Sequence, residues 1–325
     1  MSRKIEAIIC SHISDLDGIL SAAIAAIKYP EAEISFHNYG LNQFEAMFKQ
    51  VVRTIRRAGR KGIVIISDLG INPEMEDFCL DTLRKIVKMH WDVVWVDHHP
   101  WSKGIITSLR QIAKIVHDES GTVCASELMH KYLLPSNQIA KQLSMLAHNM
   151  DFMVGDDNVP PISELIQYYR TLSNVQKRLR RLALTAAIGI LWDTKMQSDY
   201  LKYLALCKME KKRAMRSLKI IQVGKFTVAL IQVSKYLQTS LFSKEIFYST
   251  GADVAILYDD QGKVSIRRNN DQISCRSIAS HLADGGGHEF AAGGRIRWTT
   301  NNTKNIPREL EQIARKSLSA SDLRI

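Results

Sequence analysis

The feature that most constrains the fold is a repeated alternation of short apolar segments with longer helical segments in the first hundred residues. Buried strands are predicted at 5–10, 33–37, 63–66 and 93–96, and helices at 19–29, 41–59 and 74–89. Strands that alternate with helices predict an α/β fold, with a mostly parallel sheet and helices on both faces.

Polar and ionisable residues follow three of the predicted strands. Ser11 to Gly18 contains Asp15 and Asp17, Asp68 follows the third strand, and Asp97-His98-His99 closes the fourth. Because sites in open parallel sheets form at the carboxyl ends of strands, these residues are expected in one crevice. Asp151 follows two further predicted helices, at 122–133 and 138–150.

The pattern changes twice in the rest of the chain. A loop rich in Gly, Asp and Pro at 155–163 precedes a long helical tract at 163–220, and short strands then follow at 226–233, 253–258 and 263–268. A helix near 275–283 leads into the triplet Gly285-Gly286-Gly287. We therefore predict a catalytic domain at 1–155, a helical connector at 156–222 and a smaller α/β domain at 223–325.

The chain is basic, with 44 Lys and Arg against 33 Asp and Glu among 325 residues, a formal net charge of +11. This balance suggests a polyanionic partner, although a generally basic enzyme surface explains it equally well. The same two interpretations apply to the basic stretches, which are either a nucleic-acid track or a solvated face. Those stretches are 53–61, Lys177, Arg178, Arg180 and Arg181, and Lys211, Lys212, Arg213 and Arg216. Tyr168, Tyr169 and Trp192 could stack on bases, but packing within the protein is the simpler interpretation.

Cysteine usage and hydropathy indicate a cytoplasmic protein. The five cysteines are odd in number, far apart and without a C-x-x-C pair, so neither a disulfide framework nor a zinc site is expected. The N-terminus lacks the pattern of a signal peptide, and no apolar run approaches the roughly 20 residues that span a bilayer. No membrane association is expected.

Each polar cluster has an ordinary structural interpretation when taken alone. Asp17 or Ser14 could cap the following helix, Asp68 and Asp151 could be turn or loop residues, and the histidine pair could lie on the surface. Their occurrence together, each at the end of a regular element, favours a metal site. Carboxylates with a minority of imidazoles suit Mn²⁺ or Mg²⁺, and paired ions of this kind hydrolyse phosphate esters.

With these motifs in order, the sequence resembles the DHH phosphoesterase superfamily over roughly residues 5–155 and 225–297. The first four motifs correspond to His12 through Gly18, Asp68 to Gly70, Asp97-His98-His99, and Asp151. The fifth and most specific is the run from Gly285 to Gly293, which matches the Gly-Gly-Gly-His-x-x-Ala-Ala-Gly signature of the DHH-associated substrate domain.

The resemblance implies a role for each site residue. One metal ion would be held by His12, Asp15 and Asp68, and the other by Asp17, Asp68, His98 and Asp151, with Asp68 bridging the two. His12 is the least secure ligand, because relatives vary in its spacing from the first aspartate. Asp97 would support the site, and His99 would face the scissile phosphate, where it stabilises charge or assists the leaving group.

The second domain is expected to bind the substrate. Three glycines let backbone N–H groups of Gly285, Gly286 and Gly287 approach a phosphate closely, and His288 and Arg267 would add charged contacts. Arg267 is preferred to Arg268 because relatives carry a pattern like Ser265-Ile266-Arg267. The alternative for a glycine triplet is an ordinary flexible loop.

The resemblance leaves several activities open. We expect an enzyme with two Mn²⁺ ions, or Mg²⁺ in their place, that acts on single-stranded DNA or RNA as an exonuclease, with 3′ to 5′ polarity favoured, or on short oligonucleotides. The alternatives are a nanoRNase or 3′-phosphoadenosine phosphatase, a cyclic-dinucleotide phosphodiesterase, and a catalytically silent subunit of a replication or repair complex. A homo-oligomer and a protein partner in replication or repair are also left open.

Overall fold

The computed structural model of the chain describes residues 5–59, 61–152, 154, 161–296 and 306–319. The chain forms two compact units, Met1–Tyr200 and Leu201–Ile325. The three-part division at 155 and 222 stays a prediction, and most of the glycine- and proline-containing loop predicted at 155–163 lies outside the described residues.

The first unit alternates strands and helices, as the sequence predicts. Its strands are β1 (Ala7–His12), β2 (Glu33–His37), β3 (Gly62–Ser67), β4 (Trp91–Asp97) and β5 (Lys114–His117). Its helices are α1 (Leu16–Lys28), α2 (Leu41–Ala58), α3 (Glu76–Lys88, preceded by a 3₁₀ turn at Pro73–Met75), α4 (Lys103–Arg110), α5 (Ala125–Leu133), α6 (Gln138–Asp151), α7 (Ile162–Arg170), α8 (Val175–Ala187) and α9 (Thr194–Ser217), the last of which continues into the second unit.

The five strands form a parallel sheet in the order β2-β1-β3-β4-β5. Helices α2, α3 and α4 bury their apolar side chains on one face, where Phe44, Leu83 and Ile105 join a continuous core. Helices α1, α5 and α8 pack together on the other face, where α1 is buried almost all round because its sequence is rich in Ala and Ile. The predicted fold class is therefore confirmed.

The edge of this sheet at β2 is covered by a side chain. Gln176 of α8 accepts a hydrogen bond from the Phe36 N–H at 2.9 Å and donates one to the Phe36 carbonyl at 2.6 Å. The amide thus takes the place of a neighbouring strand beside β2. An edge covered in this way is protected from pairing with another chain.

The long helical tract predicted at 163–220 is interrupted twice, forming α7, α8 and α9. Gly189, with φ of +83°, follows the end of α8 in the left-handed conformation that glycine tolerates. The Asp193 carboxylate then accepts a hydrogen bond from the Met196 N–H at 2.8 Å and caps the start of α9. These local signals override the continuous helical periodicity. Helices α7 and α8 pack against α1 in the first unit.

The second unit contains a six-stranded mixed sheet in the order β10-β11-β9-β8-β7-β6, in which β7 and β8 are parallel and the other neighbours are antiparallel. The strands are β6 (Lys219–Val223), β7 (Phe226–Gln232), β8 (Val254–Tyr258), β9 (Lys263–Arg268), β10 (Ala283–Gly287) and β11 (Ala291–Arg295). The helices are α10 (Thr239–Thr250), α11 (Cys275–Ala279) and α12 (Ile306–Ser319). Among the helices that the structure describes, none has both the length and the apolar character to cross a membrane.

Candidate metal centre and glycine-rich edge

The ionisable residues singled out in the first half of the sequence meet at the carboxyl edge of the parallel sheet. His12 ends β1, Asp68 directly follows β3, and Asp97 ends β4 with His98 and His99 after it. Asp15 caps α1, Asp17 lies in its first turn, and Asp151 is the last residue of α6. The alternative that Asp17 or Ser14 caps α1 is not what occurs, because the Asp15 carboxylate accepts the Gly18 N–H at 3.1 Å.

His12, Asp15 and Asp68 form the first group of potential ligands. His12 Nδ1 lies 2.9 Å from a carboxylate oxygen of Asp15 and 3.4 Å from one of Asp68. The His12 and Asp68 side chains are almost completely buried, whereas the Asp15 side chain is half exposed. This group is therefore open to solvent on the Asp15 side.

Asp17, His98 and Asp151 form the second group, and Asp68 also borders it. His98 Nε2 lies 3.4 Å from Asp68 Oδ1 and 3.8 Å from Asp17 Oδ2, and His98 Nδ1 lies 3.9 Å from Asp151 Oδ2. One Asp68 oxygen therefore faces each group, which is the arrangement expected of a bridging carboxylate.

The backbone of Asp68 is in a conformation that non-glycine residues rarely adopt, with φ of +54°. Three hydrogen bonds hold this turn: the Asp68 N–H donates to the Val96 carbonyl at 3.0 Å, the Trp95 indole N–H donates to the Leu69 carbonyl at 3.0 Å, and the Tyr39 hydroxyl donates to the Asp68 carbonyl at 3.4 Å. Backbone strain of about 1–3 kcal/mol persists only where the surroundings fix it, and such positions cluster at functional sites.

Asp17 is oriented by a helix far along the chain. Its two carboxylate oxygens accept the backbone N–H groups of Ala125 at 2.7 Å and Ser126 at 2.8 Å, in the first turn of α5, and the Ser126 hydroxyl donates to the Asp17 carbonyl at 3.0 Å. A helix N-terminus favours negative charge. Since each carboxylate oxygen can accept more than one bond, Asp17 keeps the capacity to bind a cation.

His99 is held between an acid and a phenol. Its Nδ1 lies 2.9 Å from Asp97 Oδ1, and the Tyr39 hydroxyl lies 3.0 Å from its Nε2. Because the Asp97 carboxylate only accepts, Nδ1 carries a proton. In the protonated ring Nε2 also donates, to the Tyr39 oxygen, and the single hydroxyl hydrogen of Tyr39 goes to the Asp68 carbonyl. The His117 ring also donates to the His99 carbonyl at 2.7 Å.

Tyr39 was missed in the sequence. It follows the predicted strand 33–37 by two residues, so the rule that placed the other site residues at strand ends could have found it.

The close packing of like charges changes the proton affinities of this cluster. Burial raises the pKa of Asp17 to about 7, and the charge of Asp68 adds to the rise. Burial and the charge of Asp15 likewise raise the pKa of Asp68. For His12 burial favours the neutral form, but the neighbouring carboxylates of Asp15 and Asp68 outweigh it and raise the pKa to about 9.

His98 and His99 behave like His12. Burial opposes their charged forms, but hydrogen bonding to Asp68 raises the pKa of His98 to about 9, and hydrogen bonding to Asp97 raises that of His99.

The donor atoms fit divalent metal ions. His12 Nδ1 and Asp68 Oδ2 are both buried and face each other at 3.4 Å, yet neither makes a hydrogen bond. A buried polar atom without a partner costs about 1–3 kcal/mol, and an ion between the two would satisfy both. Carboxylates with a minority of imidazoles are the ligand set that Mn²⁺ accepts.

In the second unit, the glycine triplet forms the edge strand β10 rather than a flexible loop. Gly285 and Gly287 have structural reasons to lack a side chain: a Cβ on Gly285 would lie 1.8 Å from the Ala279 carbonyl oxygen, and Gly287, with φ of +130°, would bring a Cβ to 2.6 Å from Ala292 Cα. A Cβ on Gly286 would meet no atom within 4 Å. Packing therefore does not explain why residue 286 is a glycine.

Two arginines near this edge have different tasks. Arg268 donates to the carbonyls of Asp271 at 3.1 Å and Ile273 at 2.8 Å, so it braces the turn after β9. Arg267 Nη1 donates to the neighbouring Ile266 carbonyl at 2.9 Å, and Arg267 pairs in register with Ala291 of β11. These contacts are compatible with the preference for Arg267 as a substrate ligand, which stays a prediction, as does the role of His288. Arg276 was missed; its Nε donates to the Gly287 carbonyl at 2.8 Å.

Some of the basic side chains on α8 form ion pairs within the protein. Arg178 pairs with the buried Asp199 at 2.7 Å and lies over the Tyr169 ring, and Arg181 pairs with Asp193. Tyr168 and Tyr169 are buried, in agreement with packing rather than base stacking. Trp192 donates to the Gln197 side chain and contacts Tyr200 edge to face.

Comparison with known proteins finds similar structures but no matching family model or curated sequence. No protein-family model matches the sequence, and no curated protein does. The structure is similar to that of the exonuclease RecJ bound to manganese, with a TM-score of 0.58 and 16% identity over 100% of this chain and 92% of that chain.

Two other solved structures match at TM-scores below 0.5. An exopolyphosphatase-related protein from Bacteroides fragilis has a TM-score of 0.46 and 12% identity, covering 97% of this chain and 94% of its own. CDC45 from Entamoeba histolytica has a TM-score of 0.40 and 10% identity, covering 97% and 96%. The likeness to RecJ shows that the chain shares its fold.

Proposed function

We propose that this protein is a metal-dependent phosphodiesterase that hydrolyses single-stranded DNA or RNA from the 3′ end, or short oligonucleotides. The observation that carries the proposal is the pair of ligand groups that share the buried Asp68 at the carboxyl edge of the sheet. The likeness in fold to an exonuclease bound to manganese supports the same chemistry.

The ligand assignment follows the two groups. His12, Asp15 and Asp68 would hold one Mn²⁺, and Asp17, Asp68, His98 and Asp151 the other, with Mg²⁺ as an alternative ion. Ions bound there would supply positive charge to the phosphoryl oxygens and lower the pKa of a water molecule.

The protein's own side chains would position the substrate and stabilise the negative charge that develops during hydrolysis. Asp97 fixes the proton on His99 Nδ1, so that Nε2 and the Tyr39 hydroxyl form the hydrogen-bonding face of this pair. In the protonated ring Nε2 is a donor, which suits a developing negative charge on a phosphoryl or leaving oxygen. Arg267, His288 and the backbone of Gly285–Gly287 would bind phosphate groups of the substrate.

The experiment that tests this proposal uses protein that is stripped of metal and reloaded with Mn²⁺, Mg²⁺ or Ca²⁺. Labelled DNA and RNA oligonucleotides from dimers to long strands, with label at either end, are incubated and their products resolved by length. We expect Mn²⁺-stimulated hydrolysis that a chelator abolishes and single-nucleotide release from the 3′ end. Full activity with the chelator present would overturn the proposal.

Length dependence separates the remaining alternatives. Activity confined to dimers and trimers would identify a nanoRNase, and activity confined to 3′-phosphoadenosine or cyclic dinucleotides a small-nucleotide phosphoesterase. Metal binding and strand binding without hydrolysis of any substrate would identify a binding subunit instead.

A further inference from the structure

An aromatic side chain projects from the turn between β10 and β11, directly after the glycine triplet. Phe290 is 60% exposed, and its ring is parallel to that of His288, with an interplanar angle of 4° and centroids 5.3 Å apart. A single exposed apolar side chain is ordinary in a protein, but here the ring is stacked on His288 beside the glycine triplet.

The turn that carries Phe290 is rigid at the level of the backbone. The His288 N–H donates to the Ala291 carbonyl at 2.8 Å, the Cys275 N–H donates to the Glu289 carbonyl at 2.8 Å, and the Arg268 N–H donates to the Phe290 carbonyl at 3.4 Å. Each of the three turn residues is therefore tied to a neighbouring element. An aromatic ring on a fixed backbone loses little entropy when a ligand stacks on it.

The surroundings supply the other parts of a nucleotide site. Gly286 leaves open space two residues before His288, and Arg276, held by the Gly287 carbonyl at 2.8 Å, adds a cation at the same edge. Glu289 lies 3.8 Å from Arg276, so its charge is partly offset. The glycine triplet and an exposed aromatic ring thus occur within six residues of chain, from Gly285 to Phe290.

We propose that Phe290, supported by His288, is a stacking platform for a nucleobase, and that the substrate class is therefore nucleotides or nucleic acid rather than inorganic or base-free phosphates. This inference rests on the function proposed above and specifies its substrate. Stacking on an aromatic side chain is tolerant of base identity, so the platform favours nucleobases without selecting a sequence.

The test measures binding rather than turnover, on the full chain with Ca²⁺ in place of Mn²⁺. Two fluorescently labelled probes are compared: a dinucleotide and the same dinucleotide with both bases replaced by hydrogen. Phe290→Leu should weaken binding of the first about 5- to 150-fold, the range that stacking on one base contributes, and leave binding of the second within about twofold. Phe290→Tyr should bind both like the wild type.

The matched control is Tyr248→Leu, which removes a 96% exposed ring on α10 and should change neither affinity. Equal weakening for both probes, unchanged dinucleotide binding in Phe290→Leu, or equal wild-type affinity for both probes would each overturn the inference. Base-dependent binding without hydrolysis in Mn²⁺ would instead uphold the platform and overturn the proposed enzyme activity alone.

Discussion

The two candidate sites in this chain are built by opposite means. The metal centre consists of side chains that are mostly buried and bonded to one another, with Asp68 only 2% exposed. The glycine-rich edge consists of exposed backbone, and all four residues from Asp284 to Gly287 are exposed. One site is therefore specified by what its side chains are, and the other by where side chains are missing.

This difference predicts how each site responds to change. A buried cluster that shares one carboxylate should lose its function completely when that carboxylate is altered. At an exposed backbone edge, folding should tolerate an added side chain wherever space remains, whereas substrate binding should weaken wherever that side chain would come between the backbone and a phosphate. The variants below test this contrast, from the largest expected effect to the smallest.

Asp68→Asn should reduce hydrolysis by more than about 100-fold. Altering residues that only support metal ligands already costs 10- to 100-fold, and Asp68 would bind both ions directly. Bound metal, measured by elemental analysis, should fall as well, and His12→Ala should be less damaging because His12 borders one group only. The control is Asp92→Asn, an exposed carboxylate on β4. Wild-type activity in Asp68→Asn would refute the shared-ligand assignment.

The glycine edge provides a matched pair of substitutions. Gly285→Ala should lower the free energy of unfolding by about 1–3 kcal/mol or more, because its Cβ would lie 1.8 Å from the Ala279 carbonyl oxygen. Gly286→Ala should unfold like the wild type, because open space surrounds the added Cβ. It should bind substrate more weakly, because the new methyl group would keep a phosphate away from the backbone. Thermal melts and substrate affinities check both, and metal content should stay unchanged in each. Equal stability of the two variants would contradict the packing argument.

Tyr39→Phe should lower kcat about tenfold with little change in KM or metal content. The variant removes the hydroxyl that contacts His99 Nε2 at 3.0 Å, and a hydrogen bond of this kind contributes about 0.5–1.5 kcal/mol. The ¹⁵N chemical shifts of the His99 ring should change as its Nε2 loses a partner. Tyr132→Phe, on α5, serves as the control. A variant with unaltered ring shifts would show that Tyr39 does not hold His99.

Much of the first unit could be predicted because its signals are local. The apolar segments at β1 to β4 and the rule that sites lie at the carboxyl ends of parallel strands together predicted that Asp15, Asp68 and the His98-His99 pair would meet, whereas His12 was added only by the family resemblance. The polar strand β5 and the helix α4 before it gave no comparable signal, and no element was predicted between 100 and 121.

What the sequence could not predict depends on contacts between distant residues. Asp17 is fixed by Ala125 and Ser126, more than a hundred residues away, and no spacing along the chain indicates that pairing. The sequence did not assign the glycine triplet to a strand, and only its pairing with β11 makes it one. The helical tract appeared continuous because its periodicity carries no information about the break that Gly189 and Asp193 set between α8 and α9.

The smallest expected effect concerns the basic face of α8, where a simple charge argument needs correction. Replacing all four of Lys177, Arg178, Arg180 and Arg181 with glutamate would change both substrate affinity and the stability of the fold. Arg178 pairs with the buried Asp199, and Arg180 donates to the Ala32 carbonyl. Asp199 would keep its ion pair with Lys195 at 2.8 Å, but a glutamate at position 178 would repel its buried carboxylate, so Arg178→Glu should mainly destabilise the fold.

Lys177→Glu should change strand affinity without changing stability, because Lys177 is an exposed cation on the same helix. If α8 contacts a strand, log affinity plotted against log salt should become shallower by about 0.7 for each phosphate no longer neutralised. The measurement uses Asp68→Asn protein, single strands of increasing length and a thermal melt of each variant. Lys225→Glu, an exposed lysine in the turn between β6 and β7, is the matched control. A slope that Lys177→Glu leaves unchanged would mean that α8 is an ordinary solvated face and that the strand, if bound, follows another surface.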